Sequence, residues 1–251
     1  MKIRKPAVAG MFYPEDPEKL KLILARFIEN AEKSNIGNDI KNPKAIIVPH
    51  AGIVYSGQMA AYAYNLIKNS KQKKFIILGP AHASYISEIT ADDNDEWQTP
   101  LGNAKVMNNH FTKSAIPHIS EHNLEVQVIF LQIIKNDFEM LPLLVGNSDP
   151  KTIADNIEKI LDDDTLLIVS TDLSHFYDYN AAKDMDLKTI DAIEQGKSES
   201  MGEACGALPV KACLEIAKRK KWKIKKLGYY NSGDIIGDKN SVVGYASFVL
   251  Y

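Results

Sequence analysis

Short runs rich in β-branched and other apolar residues recur along this chain, at 44–48, 75–78, 140–145 and 166–170, with segments of helical spacing between them. This alternation constrains the fold more than any other feature. Strands separated by helices argue for a mostly parallel sheet with helices packed on it. The helical segments are readable individually. Residues 17–33 carry Leu20, Ile23, Leu24, Phe27, Ile28 and Ala31 on one stripe after an acidic, proline-bearing start, a pattern that covers one face of a sheet. Further helices are expected over 57–68, 123–135, 179–195 and 209–221, and one to about residue 161 that Asn147-Ser148-Asp149-Pro150 opens with a cap and a first-turn proline. Residues 96–107 hold a Pro100-Leu101-Gly102 turn between β-compatible segments and predict an inserted hairpin. The chain closes on strands at 223–230 and 242–250, and the stretches 35–43 and 231–240 read as surface loops. The expected fold class is α/β, a single domain over 1–251 with a mostly parallel central sheet covered by helices on both faces.

Three of the strand-like runs end close to a histidine: AIIVPH at His50, FIILGPAH at His82 and LLIVSTDLSH at His175. In an open α/β sheet, side chains leaving the carboxyl ends of neighbouring strands meet in one crevice, where ligands bind. Histidines gathered there suggest a metal or proton-transfer centre. Pro49-His50-Ala51-Gly52 and Gly79-Pro80-Ala81-His82 repeat one arrangement, with small residues beside each imidazole that leave room for a ligand. For either histidine alone, a capping or hydrogen-bonding role is the competing explanation.

Asp172 and His175 stand three residues apart, on one face if the turn between them is helical. The carboxylate then orients the imidazole, or both enter the site with His175 moving protons near neutral pH, or Asp172 caps the turn that follows. Cys205 precedes Gly206 and a helix start, which favours a thiolate and hence a metal ligand or reactive thiol. Cys213 falls on an apolar stripe and reads as a buried hydrophobe. Glu121-His122-Asn123-Leu124-Glu125 opens another helix, with Asn123 as a possible cap. Surface capping accounts for that segment, but its position keeps His122 as a second-tier pocket candidate. His110 and His118 lie in a polar connection and receive no role.

Composition narrows the partners. The chain has 251 residues and a formal net charge of -2, which gives no global reason to bind nucleic acid or an anionic membrane. The one basic run, KRKKWKIKK at 218–226, reads as a solvated helix end leading into an exposed strand rather than a phosphate-binding patch. No apolar run approaches the roughly 20 residues that span a bilayer. The first fourteen residues are too short in apolar stretch, and too broken by Gly10 and Pro14, to act as a signal peptide. A cytoplasmic protein is expected. Its two cysteines make no disulfide framework.

Taken in order, PHAG at 49–52, GPAH at 79–82, TPLG at 99–102, EHNLE at 121–125, LVG at 144–146, STDLSH at 170–175 and ACG at 204–206 resemble the Memo family. The likeness runs from AGMFYP near the start to the last strand, and the compact chain is more similar to the prokaryotic members, of the AmmeMemoRadiSam group. The resemblance implies one α/β domain similar to class III non-haem iron extradiol dioxygenases. By that resemblance His50, His82 and Cys205 match metal-ligand positions, and Asp172 and His175 match other site positions, His175 taking the place of a catalytic proton donor or acceptor.

The dioxygenases hold Fe(II) with two histidines and a carboxylate. A thiolate at Cys205 is softer and suits copper, zinc or a redox-sensitive iron, so ring cleavage is not inherited with the fold. The expectation is an iron- or copper-dependent oxidoreductase, zinc being a further possibility, acting on an unidentified small-molecule substrate. The alternative is a binding or adaptor module for a protein or peptide partner that retains a dioxygenase-like pocket, as roles attributed to eukaryotic relatives suggest.

Overall fold

The computed structural model describes residues 1–251. In chain order its elements are β1 (Ile3–Arg4), α1 (Pro17–Ser34), β2 (Ala45–Val48), α2 (Ile53–Lys68), β3 (Lys74–Pro80), β4 (Thr90–Ala91), β5 (Glu96–Thr99), β6 (Gly102–Val106), β7 (Thr112–Lys113) and α3 (Asn123–Ile134). There follow β8 (Glu139–Val145), α4 (Pro150–Glu158), β9 (Thr165–Ser170), β10 (His175–Tyr177), α5 (Tyr179–Glu194), α6 (Ala207–Lys220), β11 (Ile224–Asn231), α7 (Ser232–Ile236) and β12 (Val242–Leu250).

At the centre β8, β3, β9 and β2 run parallel in that spatial order. β12 joins β2 antiparallel and carries both β10 and β11, while the β5–β6 hairpin extends the other side through β8. The mixed but mostly parallel sheet agrees with the alternation of strands and helices in the sequence.

Successive residues of a strand point to opposite faces, and here both faces are covered. Ile46, Val48, Phe75, Ile77, Leu166 and Ile168 pack under α1, α2 and α3. Ala45, Ile47, Ile76, Leu78, Leu167 and Val169 pack under α4, α5 and α6. Burial on both sides is why β2 and β9 are apolar at almost every position, without polar alternation.

Local signals set most boundaries. The Asp16 carboxylate accepts from Lys19 N–H ahead of α1, and Asp149 caps α4 in front of Pro150. Two differences from the sequence reading bear on the site. α2 begins at Ile53, a turn earlier than 57, so His50 sits in a short connection between strand and helix. The 231–240 stretch is not all loop, because an Asn231–Asp234 capping box forms α7.

The basic run behaves as a paired surface. Arg219 bonds Asp155, Glu158 and Glu215, Lys225 pairs with Asp39 and Lys226 with Glu194. No helix is long and apolar enough to cross a membrane.

Candidate metal centre

The helices that follow β2 and β3 cover one face of the sheet, and those that follow β9 cover the other. Where chain connections diverge in this way, a crevice opens at the carboxyl ends of the strands. His50 lies two residues beyond β2, His82 two beyond β3 and Asp172 two beyond β9. Cys205 arrives from across the sheet, two residues before α6. Gly206 makes this approach possible, because a Cβ there would lie 2.6 Å from Ser170 O and 2.7 Å from Thr171 Cβ.

One ligand atom each from His50, His82 and Cys205 falls within 4.8 Å of the others. Cys205 Sγ is 3.3 Å from His50 Nε2, and the His50 and His82 ring centroids are 5.3 Å apart. The far side of each ring is held. His50 Nδ1 is 2.9 Å from Ser170 Oγ, whose hydroxyl donates to Asn123 O and which accepts from Gln127 Nε2. With the serine hydrogen committed to Asn123 O, His50 must donate from Nδ1, leaving a lone pair on Nε2 toward Cys205. Tyr64 OH in turn donates to Gln127 Oε1 and fixes that amide.

His82 is held by a carboxylate. Its Nδ1 lies 3.0 Å from Glu121 Oε1 and its backbone N–H donates to Oε2 at 2.7 Å. Burial pushes the Glu121 carboxyl up, but the ring and backbone hydrogen bonds from His82, with the His82 and His122 rings nearby, outweigh it and hold the pKa at about 2. An ionised Glu121 makes His82 Nδ1 the donor and leaves Nε2 free. A carboxylate or hydroxyl behind each imidazole is the arrangement that fixes tautomer and orientation in metal-binding histidines.

His82, Glu121 and His122 also lie close enough together to be weighed as a cation site. Glu121 is already occupied: Oε1 accepts from His82 Nδ1, His122 N and Asn123 N, and Oε2 from His82 N. We therefore assign it as the orienting carboxylate. In the other group His50 Nε2 hydrogen-bonds only with Cys205 Sγ, and Sγ accepts from Asp172 N–H at 3.2 Å.

Burial dominates the protonation of these groups. His50 is pushed well down, first by burial and then by the charges of His122, His82 and His175. Cys205 goes the other way: burial and the Asp172 carboxylate push its thiol up to about 12, against the Asp172 N–H, Thr171 hydroxyl and Gly206 N–H. The helix start does not produce the expected thiolate, because desolvation outweighs it. A metal would have to displace the thiol proton.

The remaining sequence candidates separate. His122 is in the crevice: its ring stacks on His82 at 4.9 Å and 15° and lies 5.4 Å from His50. His175 stands outside the three-residue cluster, half-buried, pushed down by burial while the Glu203 charge opposes that shift. Residues 171–174 form no helical turn; they lie along β12, with Leu173 N–H donating to Gly244 O and Gly244 N–H to Ser174 O. Asp172 and His175 therefore do not form an i, i+3 pair. Asp172 Oδ1 instead accepts from His50 N–H at 2.8 Å, clasping the β2–α2 connection, and burial pushes its pKa up to about 7 against hydrogen bonds from the His50 and Ala51 backbones.

Two readings of the 121–125 segment are corrected. Glu121 and Glu125 are fully buried, not surface caps, and Asn123 caps nothing, since its Nδ2 donates to Pro80 O at 2.6 Å. Gly79 likewise makes room for Asn123 and not for a ligand, because a Cβ there would overlap Asn123 Oδ1. The sequence reading missed Glu121, Ser170 and Gln127. A signal was present for one of them: Gln127, with Glu125, falls in the mostly apolar first half of α3, where a charge or amide must be buried and partnered.

Comparison with known proteins follows the same lines. A family model described as "Memo-like protein" matches residues 4–249. A MEMO1 family protein of Methanobrevibacter smithii is 38% identical over 99% of both chains. One from Thermoplasma volcanium is 35% identical over 98% of both, and one from Aquifex aeolicus 32% identical over the whole of both. Among solved structures, an uncharacterized protein of Escherichia coli K12, JW3007, superposes with a TM-score of 0.50 at 9% identity, covering 83% of this chain and all of that one. That likeness concerns the fold alone.

Proposed function

Because this chain belongs to the Memo-like family, we propose that it is a metal-dependent oxidoreductase of a small-molecule substrate, with His50, His82 and Cys205 as the ligands of iron or copper. The supporting observation is the convergence of one ring nitrogen from each of His50 and His82 with Cys205 Sγ within 4.8 Å, while His50 Nδ1 meets Ser170 and His82 Nδ1 meets Glu121. Two imidazoles and a thiolate suit copper, zinc or redox-active iron, and three protein ligands leave a position open for substrate. The metal supplies Lewis acidity and, for iron or copper, electron transfer.

The protein's own groups then have distinct tasks. Ser170 and Glu121 keep the ligand tautomers. Asp172 holds the His50 turn. His175, half-buried beside Glu203, exchanges protons with whatever occupies the open position, and His122 walls the crevice against His82.

A second reading has its own support. Exposed Met11 and Val54 line one cleft with Phe12, Phe176 and Tyr177 are exposed next to His175 in sequence, and exposed apolar residues suit contact with a protein or peptide. In that case the pocket serves binding without chemistry.

Metal analysis of freshly purified protein beside Cys205→Ser tests the first reading. Loss of metal with the far-UV spectrum intact supports it, and equal metal in both chains overturns it. Oxygen consumption by the anaerobically reconstituted protein on phenolic and small-metabolite panels then separates iron or copper chemistry from a zinc site or a silent pocket.

A further inference from the structure

Arg4 is 121 residues from Glu125 in sequence, yet their side chains form a buried ion pair at 2.5 Å, with 2% and 0% exposure. A buried pair of this kind is weak evidence for stability by itself, because desolvation cancels much of the attraction. The other bonds of this guanidinium point to a different use. Nε donates to His118 O at 2.7 Å and Nη2 to Glu121 O at 2.5 Å. One planar fork thus ties together both carbonyls of the turn that presents Glu121, and a third arm holds the first turn of α3.

The fork is itself fixed. β1 pairs Arg4 with Trp97 on β5, and the guanidinium carbon lies 4.0 Å over the Trp97 ring. Glu125 also accepts from Ala7 N, Val8 N and Tyr13 OH, so residues 4–13 are strapped onto the start of α3. At the end of this strap Phe12 packs on His122 at 4.9 Å. The Glu121 carboxylate that fixes His82 is therefore carried by a short turn whose His118 and Glu121 carbonyls are satisfied by a residue from the start of the chain.

We propose that Arg4 is a positioning residue of the metal centre, acting through Glu121: its fork holds the 118–121 turn so that the Glu121 carboxylate meets His82 Nδ1 and keeps Nε2 aimed at the metal. The assignment rests on His50, His82 and Cys205 being metal ligands. Arginine is required because one ammonium cannot span two carbonyls and a carboxylate in a planar array.

The test titrates Co(II) alone into the full chain, read by its thiolate-to-cobalt charge-transfer band. The chains compared are wild type, Arg4→Lys, Glu121→Gln, their double variant, and Ile157→Ala as a control. Ile157 is buried on α4, against the other face of the sheet, so its truncation lowers stability without touching the centre.

Disturbing groups behind a ligand weakens metal binding by about 10–100-fold, and Arg4→Lys is expected at the lower end and Glu121→Gln toward the upper. Because Arg4 acts through Glu121, the double variant binds no more weakly than Glu121→Gln alone, within about twofold. Ile157→Ala keeps wild-type affinity. If Arg4→Lys does not fold, Glu125→Gln takes its place, leaving the arginine but not its ionic partner, with the same non-additivity expected.

Losses that multiply in the double variant overturn the proposal, as does an Arg4→Lys affinity equal to the control's. A wild-type chain with no thiolate band overturns the metal reading itself and this assignment with it, which separates the two failures.

Discussion

His82 Nδ1 and Glu121 Oε1 stand 3.0 Å apart across 39 residues of chain, with the carboxylate wholly buried. Their contact orients a strand-end histidine and places a carboxylate directly behind it on the turn before α3. The same pairing makes the site sensitive to acid.

Glu121 is held at about 2 in the folded protein. A depressed carboxyl contributes stability that is present above its unfolded value near 4.5 and is lost as pH falls through the folded one. Roughly 3 kcal/mol is expected from a shift of that size. Urea unfolding of wild type and Glu121→Gln should therefore show a gap that narrows between about pH 4.5 and pH 2. A gap unchanged over that range would contradict the role given to the carboxylate.

Asp172 titrates in the opposite sense. Burial raises it to about 7, so the folded metal-free chain holds this proton more tightly than the unfolded one. The corresponding stability is full below about pH 4 and is lost as pH rises through about 7, on the order of 4 kcal/mol in all. Asp172→Asn keeps an acceptor for His50 N–H and removes the titration, so the apo variant gains on wild type between pH 4 and 7. Denaturation of the chelator-treated protein measures it, and parallel pH curves would argue against a buried neutral carboxyl.

Ser170→Ala removes the hydroxyl that meets His50 Nδ1, Gln127 Nε2 and Asn123 O. Leaving buried donors without an acceptor costs about 1–3 kcal/mol. With its Nδ1 unpartnered, His50 is free to change tautomer, so metal affinity falls together with the denaturation midpoint. Affinity at the wild-type level in a destabilised Ser170→Ala protein would show that the hydroxyl does not set the ring.

At Gly79 an added methyl would overlap Asn123 Oδ1 and lie 2.8 Å from a Leu124 methyl. Gly79→Ala pushes the start of α3 away from β3 and is expected to cost about 1–3 kcal/mol, as overpacking does. Gly102→Ala is a useful contrast, since nothing lies within 4 Å there but φ is +117°; its cost is backbone strain alone, and metal content should be untouched. Calorimetry with metal analysis distinguishes the two.

Much of the scaffold is legible locally, for reasons that can be named. β2 and β9 are nearly continuous apolar runs because both of their faces are covered, and Asp149-Pro150 starts α4 through a cap and a fixed φ that need no distant partner. The β5–β6 hairpin is equally local. His50 and His82 could be singled out because strand ends converge at one edge of such a sheet, whereas the resemblance to the Memo family is what set Cys205 beside them.

Other elements depended on remote partners. β10 has three residues and forms only because β12 offers an edge, and the 172–175 segment lies along β12 instead of making the helical turn that would put Asp172 and His175 on one face. The sequence by itself determined an α/β chain whose histidines collect at one sheet edge, since hydrophobic periodicity and strand-end chemistry are properties of neighbouring residues. Only the tertiary structure decided what lies behind each imidazole, why Glu121 is ionised while Cys205 keeps its proton, and that Arg4 reaches the turn carrying Glu121. Those outcomes depend on desolvation and hydrogen bonding between residues some 40 to 120 positions apart, and sequence spacing carries no record of either.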